Sequence, residues 1–231
     1  MENTREFMLD EVKELAQNKK FEDAIKKLDN INTVYDHQDR DYWFNKGQHF
    51  LEIQNYSEAI KCFDKDLELN KKSYRTFMIK GRSMYLDETY HEAIECFNNA
   101  LEIKFAEYLK NTDQAKNLKN VKKFESAIKH YDIVNHSDVI DSKFWQYKAQ
   151  ALFKIEKYGE AEDCFDNILK NEPDNAEILY NKAKCEIQLE KIESAIALLE
   201  KACKLDSSMK KILKDDPLFK GLPKEKLSKI I

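Results

Sequence analysis

Apolar positions along the chain recur at helical spacing rather than in strict alternation. In the segment that begins at Trp43, apolar or small residues stand at i, i+4 and i+7, ending at Phe50. A second stripe follows downstream, where Ala59 and Phe63 are four residues apart. Such spacing places side chains on one face of a helix. The two stripes therefore predict a pair of amphipathic helices.

This two-helix pattern repeats along the chain. A five-residue phrase whose fourth residue is alanine occurs six times. These alanines, called the central alanines below, are separated by 35, 34, 34, 34 and 34 residues. The alanines are Ala24, Ala59, Ala93, Ala127, Ala161 and Ala195. One helix pair cannot bury both of its faces, so neighbouring pairs must stack. The sequence thus predicts an array of helix pairs.

The repeated motif resembles the tetratricopeptide repeat, a 34-residue unit with aromatic, small and large apolar residues at fixed places. The resemblance covers nearly the whole chain. It implies an all-α fold, a right-handed superhelical solenoid of six antiparallel helix pairs with a C-terminal capping helix, in one domain spanning 1–231. The repeats are predicted at about 5–38, 40–73, 74–107, 108–141, 142–175 and 176–209, with the cap at 210–231.

The fourth repeat departs most from the family pattern. Its first helix, 108–121, offers Asn111 and Gln114 where large apolar and small residues are expected. Its packing should therefore be poorer. The sequence leaves open whether this produces a slightly mobile helix, a local shift of register or a hinge between two halves.

Composition narrows the classes of function. The 231 residues contain only 4 Gly and 3 Pro, which argues against β-hairpins and phosphate-binding loops. A net charge of −4 gives no bulk positive field for nucleic acid or an anionic membrane. No apolar run reaches the length of a signal peptide or a membrane span. We expect a cytoplasmic protein.

No motif for catalysis, metal binding or cofactor binding is present. The cysteines form no CxxC pair, the histidines form no HExxH motif, and GxGxxG and P-loop sequences are missing. We expect reduced thiols that fill packing positions, no metal, no cofactor and no enzymatic activity. Lys46, Lys80, Lys148 and Lys182 recur before the small residue of each well-matched first helix. Their stems are expected to pack while their ammonium groups reach solvent.

The resemblance implies that the first helices line a concave groove that binds a partner. Seven basic and four acidic residues occupy the groove-facing positions of repeats two to six, a balance of +3, and repeat one lowers it to +2. Amides, aromatics and cations together suit an extended peptide or helix with acidic residues. The predicted partner-binding residues are Phe44, Asn45, Gln48, Arg75, Met78, Arg82, Tyr85, Lys116, Lys143, Gln146, Tyr147, Gln150, Tyr180, Asn181 and Lys184.

The leading prediction is therefore a protein–protein interaction scaffold that holds its partner in the groove. Three alternatives stay open: an enzyme, for which no recognisable motif is present, and two non-catalytic modules. The first is a co-chaperone-like module for acidic C-terminal tails, although only two of the five places of that clamp are matched, by Asn45 and Arg75. The second is a self-assembling structural oligomer. Oligomeric state, partner and pathway are not encoded in any recognisable motif.

Overall fold

The structure, a computed structural model, describes residues 2–34, 40–111 and 142–222. Every regular element in these ranges is helical, so the all-α prediction is confirmed there. The chain divides into two compact units, Met1–Asp113 and Gln114–Ile231. None of the described helices combines the length and apolar character needed to cross a membrane.

The first unit contains three consecutive helix pairs within the described residues. Within each pair the two helices contact one another, and the second helix also contacts the first helix of the next pair. The helices are α1 (Glu2–Gln17), α2 (Phe21–Val34), α3 (Arg40–Glu52), α4 (Tyr56–Leu69), α5 (Tyr74–Leu86) and α6 (Tyr90–Asn111). The predicted repeat boundary at 107 falls inside α6.

The second unit contains two pairs and a C-terminal cap within the described residues. Its helices are α7 (Ser142–Lys154), α8 (Tyr158–Asn171), α9 (Ala176–Gln188), α10 (Ile192–Leu205) and α11 (Met209–Asp215), followed by a 3-10 helix (Pro217–Gly221). Residues 112–141, on which most of the fourth predicted repeat falls, lie outside the described ranges. The domain and repeat limits as a whole stay predictions.

Each helix pair is joined by the same three-residue turn. Its middle residue adopts a left-handed backbone conformation; at Gln54, φ is 61°. The N–H of Asn55 then donates to the Phe50 carbonyl at 2.9 Å, and that of Gln54 to the Leu51 carbonyl at 3.0 Å. This closes the end of the first helix as a Schellman motif. So short a turn forces the two helices to run antiparallel.

Small residues permit close approach of the paired helices. Gly47 of α3 faces the ring of Phe63 on α4, and a Cβ at Gly47 would stand 2.6 Å from the Phe63 Cε1 atom. Gly81 meets the ring of Phe97 in the same way. The central alanines Ala24, Ala59, Ala93, Ala161 and Ala195 are all fully buried. The packing roles assigned to these positions are thus visible in both units.

The predicted cap closes the end of the second unit. Leu213 of α11 and Phe219 of the 3-10 helix are each 1% exposed and belong to one apolar cluster with Leu179 and Leu199. This covers apolar surface that the last helix pair would otherwise present to water. Residues 223–231, which the prediction also assigned to the cap, lie outside the described ranges.

The ammonium groups of the recurring lysines were expected to reach solvent, but three of them form ion pairs instead. Lys46 Nζ lies 2.6 Å from Asp29, Lys80 Nζ 2.6 Å from Asp64, and Lys182 Nζ 2.6 Å from Asp166. In each case the aspartate lies on the second helix of the preceding repeat. Because the lysine side chains are only 15–16% exposed, the ion pair satisfies an ammonium group that packing has removed from water.

Candidate functional site

In the first unit, two of the residues predicted to face the groove are an arginine and the aromatic ring on which it stacks. The Arg75 guanidinium carbon lies 3.8 Å from the centroid of the Phe44 ring. This cation–π contact joins α5 to α3. Phe44 itself is only 5% exposed and packs against the Phe63 ring, so it offers little surface to a partner. Arg75 is exposed and remains accessible from solvent.

The other predicted residues of the first unit lie at the surface to different degrees. Met78, Arg82 and Tyr85 on α5 are half-buried, as are Asn45 and Gln48 on α3. They therefore supply amide, apolar, cationic and aromatic groups on two consecutive first helices. A protein segment laid across α3 and α5 could use all four kinds of contact.

In the second unit, the first helices α7 and α9 of the two pairs are joined by a polar contact. Gln146 Nε2 donates a hydrogen bond to Glu177 Oε1 at 2.9 Å. On α7, Lys143 is exposed, whereas Tyr147 and Gln150 are half-buried. Asn181 on α9 is also half-buried. Lys116, the remaining predicted residue, lies outside the described ranges.

The last two predicted residues contact the chain's own C-terminal segment. Tyr180 Oη donates to Asp216 Oδ2 at 2.8 Å, and Lys184 Nζ lies 3.1 Å from the same oxygen. The Tyr180 ring is 5.4 Å from that of Phe219 and is only 6% exposed. Thus the surface assigned to a partner at this end is already in contact with protein.

The protonation of this contact follows from its surroundings. Burial, and then the hydrogen bond to Asp216, raise the pKa of the Tyr180 hydroxyl. Burial also acts to raise the pKa of the Asp216 carboxyl, but the Leu218 N–H, the Tyr180 hydroxyl and the Lys184 ammonium together lower it. Asp216 is therefore a carboxylate at neutral pH, and Tyr180 is a neutral donor.

Two family models match parts of the chain. Both are described as tetratricopeptide repeat, and they cover residues 40–73 and 148–210. The chain is a tetratricopeptide-repeat protein. The first match spans the same residues as the second predicted repeat. The second match includes α8, α9 and α10, and α9 carries Tyr180 and Lys184.

Solved structures of MamA share the tetratricopeptide fold. MamA from Desulfovibrio magneticus RS-1, residues 41 to the end, is 12% identical with a TM-score of 0.68, covering 88% of this chain and 96% of that one. A second MamA structure is 12% identical with a TM-score of 0.67, covering 91% and 96%. A third, labelled AMB-1, is 15% identical with a TM-score of 0.64, covering 90% and 94%. At this identity the likeness shows the fold alone. A search of curated protein sequences found no match.

Sequence reasoning missed two functional features of this tetratricopeptide array. The ion pairs between repeats carried a readable signal, because aspartates recur five residues after the central alanine at Asp29, Asp64 and Asp166. The contact of Asp216 with α9 left only a weak signal in the sequence. Asp216 precedes Pro217, which is typical of a helix start, but nothing local indicates a partner 36 residues earlier.

The cysteines lie in the core of the helix pairs. Burial raises the pKa of the Cys62 and Cys96 thiols to about 11, and those of Cys164 and Cys185 to about 12. The thiolate, which is the nucleophilic and metal-binding form, is therefore scarce at neutral pH. Across the described ranges no cluster of His, Cys, Asp and Glu has the arrangement of a metal site.

Proposed function

We propose that this tetratricopeptide-repeat protein is a scaffold that binds an extended protein segment across its groove-facing first helices. In the second unit we propose that the bound segment carries acidic residues. The repeats and the MamA-like fold support the general role of a protein–protein interaction scaffold.

One observation supports the acidic preference above the others. Tyr180, which is buried in the apolar cluster of the α9–α10 pair, and Lys184, which is half-buried, hold the carboxylate of Asp216. The surface is therefore able to bind a carboxylate that is supplied by a protein segment. Lys143 and Gln146 continue the same chemistry along α7, where the cation is exposed and the amide already bonds a carboxylate.

The test uses a charge reversal that leaves the cap intact. Lys143→Glu should weaken capture of partners from a source-cell lysate by about tenfold, because one charge-assisted hydrogen bond is replaced by repulsion. Lys184 is a poorer choice, since its reversal would also break the ion pair with Asp216. Lys204→Glu is the matched control, since Lys204 is exposed on the second helix α10.

Quantitative mass spectrometry of the captured proteins gives the readout. A partner that is lost with Lys143→Glu but retained with Lys204→Glu supports binding in the groove. If every partner is captured equally by both variants, the groove of the second unit is not the binding surface. We propose no catalytic step for the chain. We also propose that it resides in a reducing compartment such as the cytoplasm, because its five cysteines are buried and free.

A further inference from the structure

The C-terminal segment lies where the sequence analysis placed a partner. Tyr180 and Lys184 occupy groove-facing positions of the sixth repeat, and both contact Asp216. Lys184 Nζ also stands 5.7 Å from the Phe153 ring centroid and 5.9 Å from that of Tyr180. The carboxylate is thus bound by a cation that is itself surrounded by aromatic rings.

Asp216 and Phe219 are two residues of the C-terminal segment that contact α9, and a short turn fixes their spacing. Asp216 Oδ1 accepts a hydrogen bond from the Leu218 N–H at 3.0 Å, which caps the 3-10 helix that begins at Pro217. One turn of a 3-10 helix has three residues, so Asp216 and Phe219 lie on the same side. The carboxylate meets Tyr180 and Lys184, while the Phe219 ring, 1% exposed, packs beside Tyr180.

We propose that residues 216–219 occupy the sixth-repeat end of the groove in place of a partner. The partner that fits there carries the same chemistry, an Asp followed by Phe three residues later, and binds by displacing the chain's own segment. This inference rests on the proposed function and adds to it a recognition motif and a built-in competitor. The groove-facing surface of α9 is closed in the free protein and opens when that motif is supplied.

Competition by a tethered segment has a predictable strength. A segment joined to its site by a short connection has an effective concentration in the millimolar range. A free partner binds only the fraction of molecules whose site is open, so its apparent dissociation constant rises by the inverse of that fraction. Weakening the contact of Asp216 should therefore tighten binding of an added segment without changing the site itself.

The probe is a fluorescent peptide with the sequence of residues 215–222, Asp-Asp-Pro-Leu-Phe-Lys-Gly-Leu, blocked at both ends. Its binding is measured by fluorescence anisotropy to the full chain and to two variants. Asp216→Asn removes the charge that Lys184 attracts and the oxygen that accepts from Tyr180. Asp215→Asn removes the same charge from an exposed neighbour and is the matched control.

We expect Asp216→Asn to bind the probe at least about tenfold more tightly than the parent or Asp215→Asn does. A control peptide in which the first Asp is retained, the second is Asn and Phe is Ala should bind none of them. Equal affinity of the probe for all three proteins would overturn the inference. Circular dichroism of each protein verifies that the helices are intact.

A second measurement applies to the parent alone, in case Asp216→Asn does not fold. Hydrogen exchange at saturating probe should become faster for the amides of Phe219 and Leu222, which bond within the segment at 3.3 and 3.1 Å in the free protein. Unchanged exchange with bound probe would mean that nothing is displaced, and would overturn the inference. The Lys143→Glu experiment separates the two proposals. If Lys143→Glu loses capture of a partner while none of the proteins binds the probe, the proposed scaffold function is retained. Only the proposed competition by residues 216–219 is then refuted.

Discussion

Replacement of Gly47 by alanine tests how closely the two helices of a repeat are packed. A Cβ at this position would lie 2.6 Å from Cε1 and 2.9 Å from Cζ of Phe63. Carbon atoms in ordinary contact are about 3.5–4.0 Å apart, so the ring would have to retreat by roughly 1 Å. Phe63 is fully buried, and its ring centroid lies 5.8 Å from that of Phe44. The movement therefore disturbs the core between repeats.

Two opposing effects determine the size of the change. Overpacking a core of this kind typically costs about 1–3 kcal/mol. Alanine in place of glycine inside a helix contributes about 1 kcal/mol in the opposite direction. We expect Gly47→Ala to lower the free energy of unfolding by up to about 2 kcal/mol. Gly159→Ala is the matched control, since a Cβ there meets nothing within 4 Å. It should raise that free energy by up to about 1 kcal/mol.

Urea unfolding followed by far-UV circular dichroism measures both changes, with Trp43 and Trp145 fluorescence reporting on α3 and α7 respectively. Adding Phe63→Leu to Gly47→Ala should recover part of the loss, because a smaller side chain leaves space for the new methyl group. If Gly47→Ala stabilises the protein as much as Gly159→Ala does, the ring yields without cost and the close-packing argument is wrong.

Two further changes are expected to stabilise the chain. Glu186 is 2% exposed, and its Oε2 has no hydrogen-bond partner in the structure described. Its Oε1 lies 3.7 Å from Lys182 Nζ, which would keep its shorter ion pair with Asp166, at 2.6 Å, if Glu186 were replaced. Glu186→Leu should therefore raise the free energy of unfolding by about 1–3 kcal/mol in urea titrations, and a decrease would show that the carboxylate is needed. Gln54→Gly should raise the melting temperature, because the left-handed φ of 61° is unfavourable for a side chain, whereas Gln188→Gly in the regular helix α9 should lower it.

The repeat fold could be predicted because its determinants are local and periodic. The central alanines recur every 34 or 35 residues, each followed four residues later by a leucine or an aromatic residue, and these two positions mark the packed face of the second helices directly. The turns were less visible. Among the residues that the structure describes, the left-handed backbone positions are Lys19, Gln54, Glu88, Glu156 and Glu190 rather than glycines. Tertiary packing of the two helices imposes this conformation, so residue type alone could not reveal it.

The candidate site could be predicted only in part. Position within the repeat predicted which residues face the groove, but not how buried they are. Phe44 and Tyr180 hold the same position in repeats two and six, and both proved to be nearly buried by contacts with the following segment. Such contacts depend on which residue the next repeat places opposite. That information lies about one repeat away in sequence, outside the reach of local periodicity.

The contacts made by equivalent positions of three repeats indicate why we expect the groove to open at the sixth repeat. Phe44, Gln146 and Tyr180 are separated by multiples of 34 residues, and each contacts the segment that follows its repeat. For the first two, that segment is a helix held in place by its own pair. For Tyr180 it is the start of a five-residue 3-10 helix that follows a seven-residue helix.

Fewer contacts hold this last segment, so local opening there requires less free energy than opening between complete repeats. The end of the array is thus the place where a partner can displace protein from the groove without separating a helix pair. A hydrogen-exchange profile of the free chain checks this reasoning independently of any ligand. We expect the amides of Leu218, Phe219 and Leu222 to exchange faster than those of α9 and α10, and equal protection throughout would contradict it.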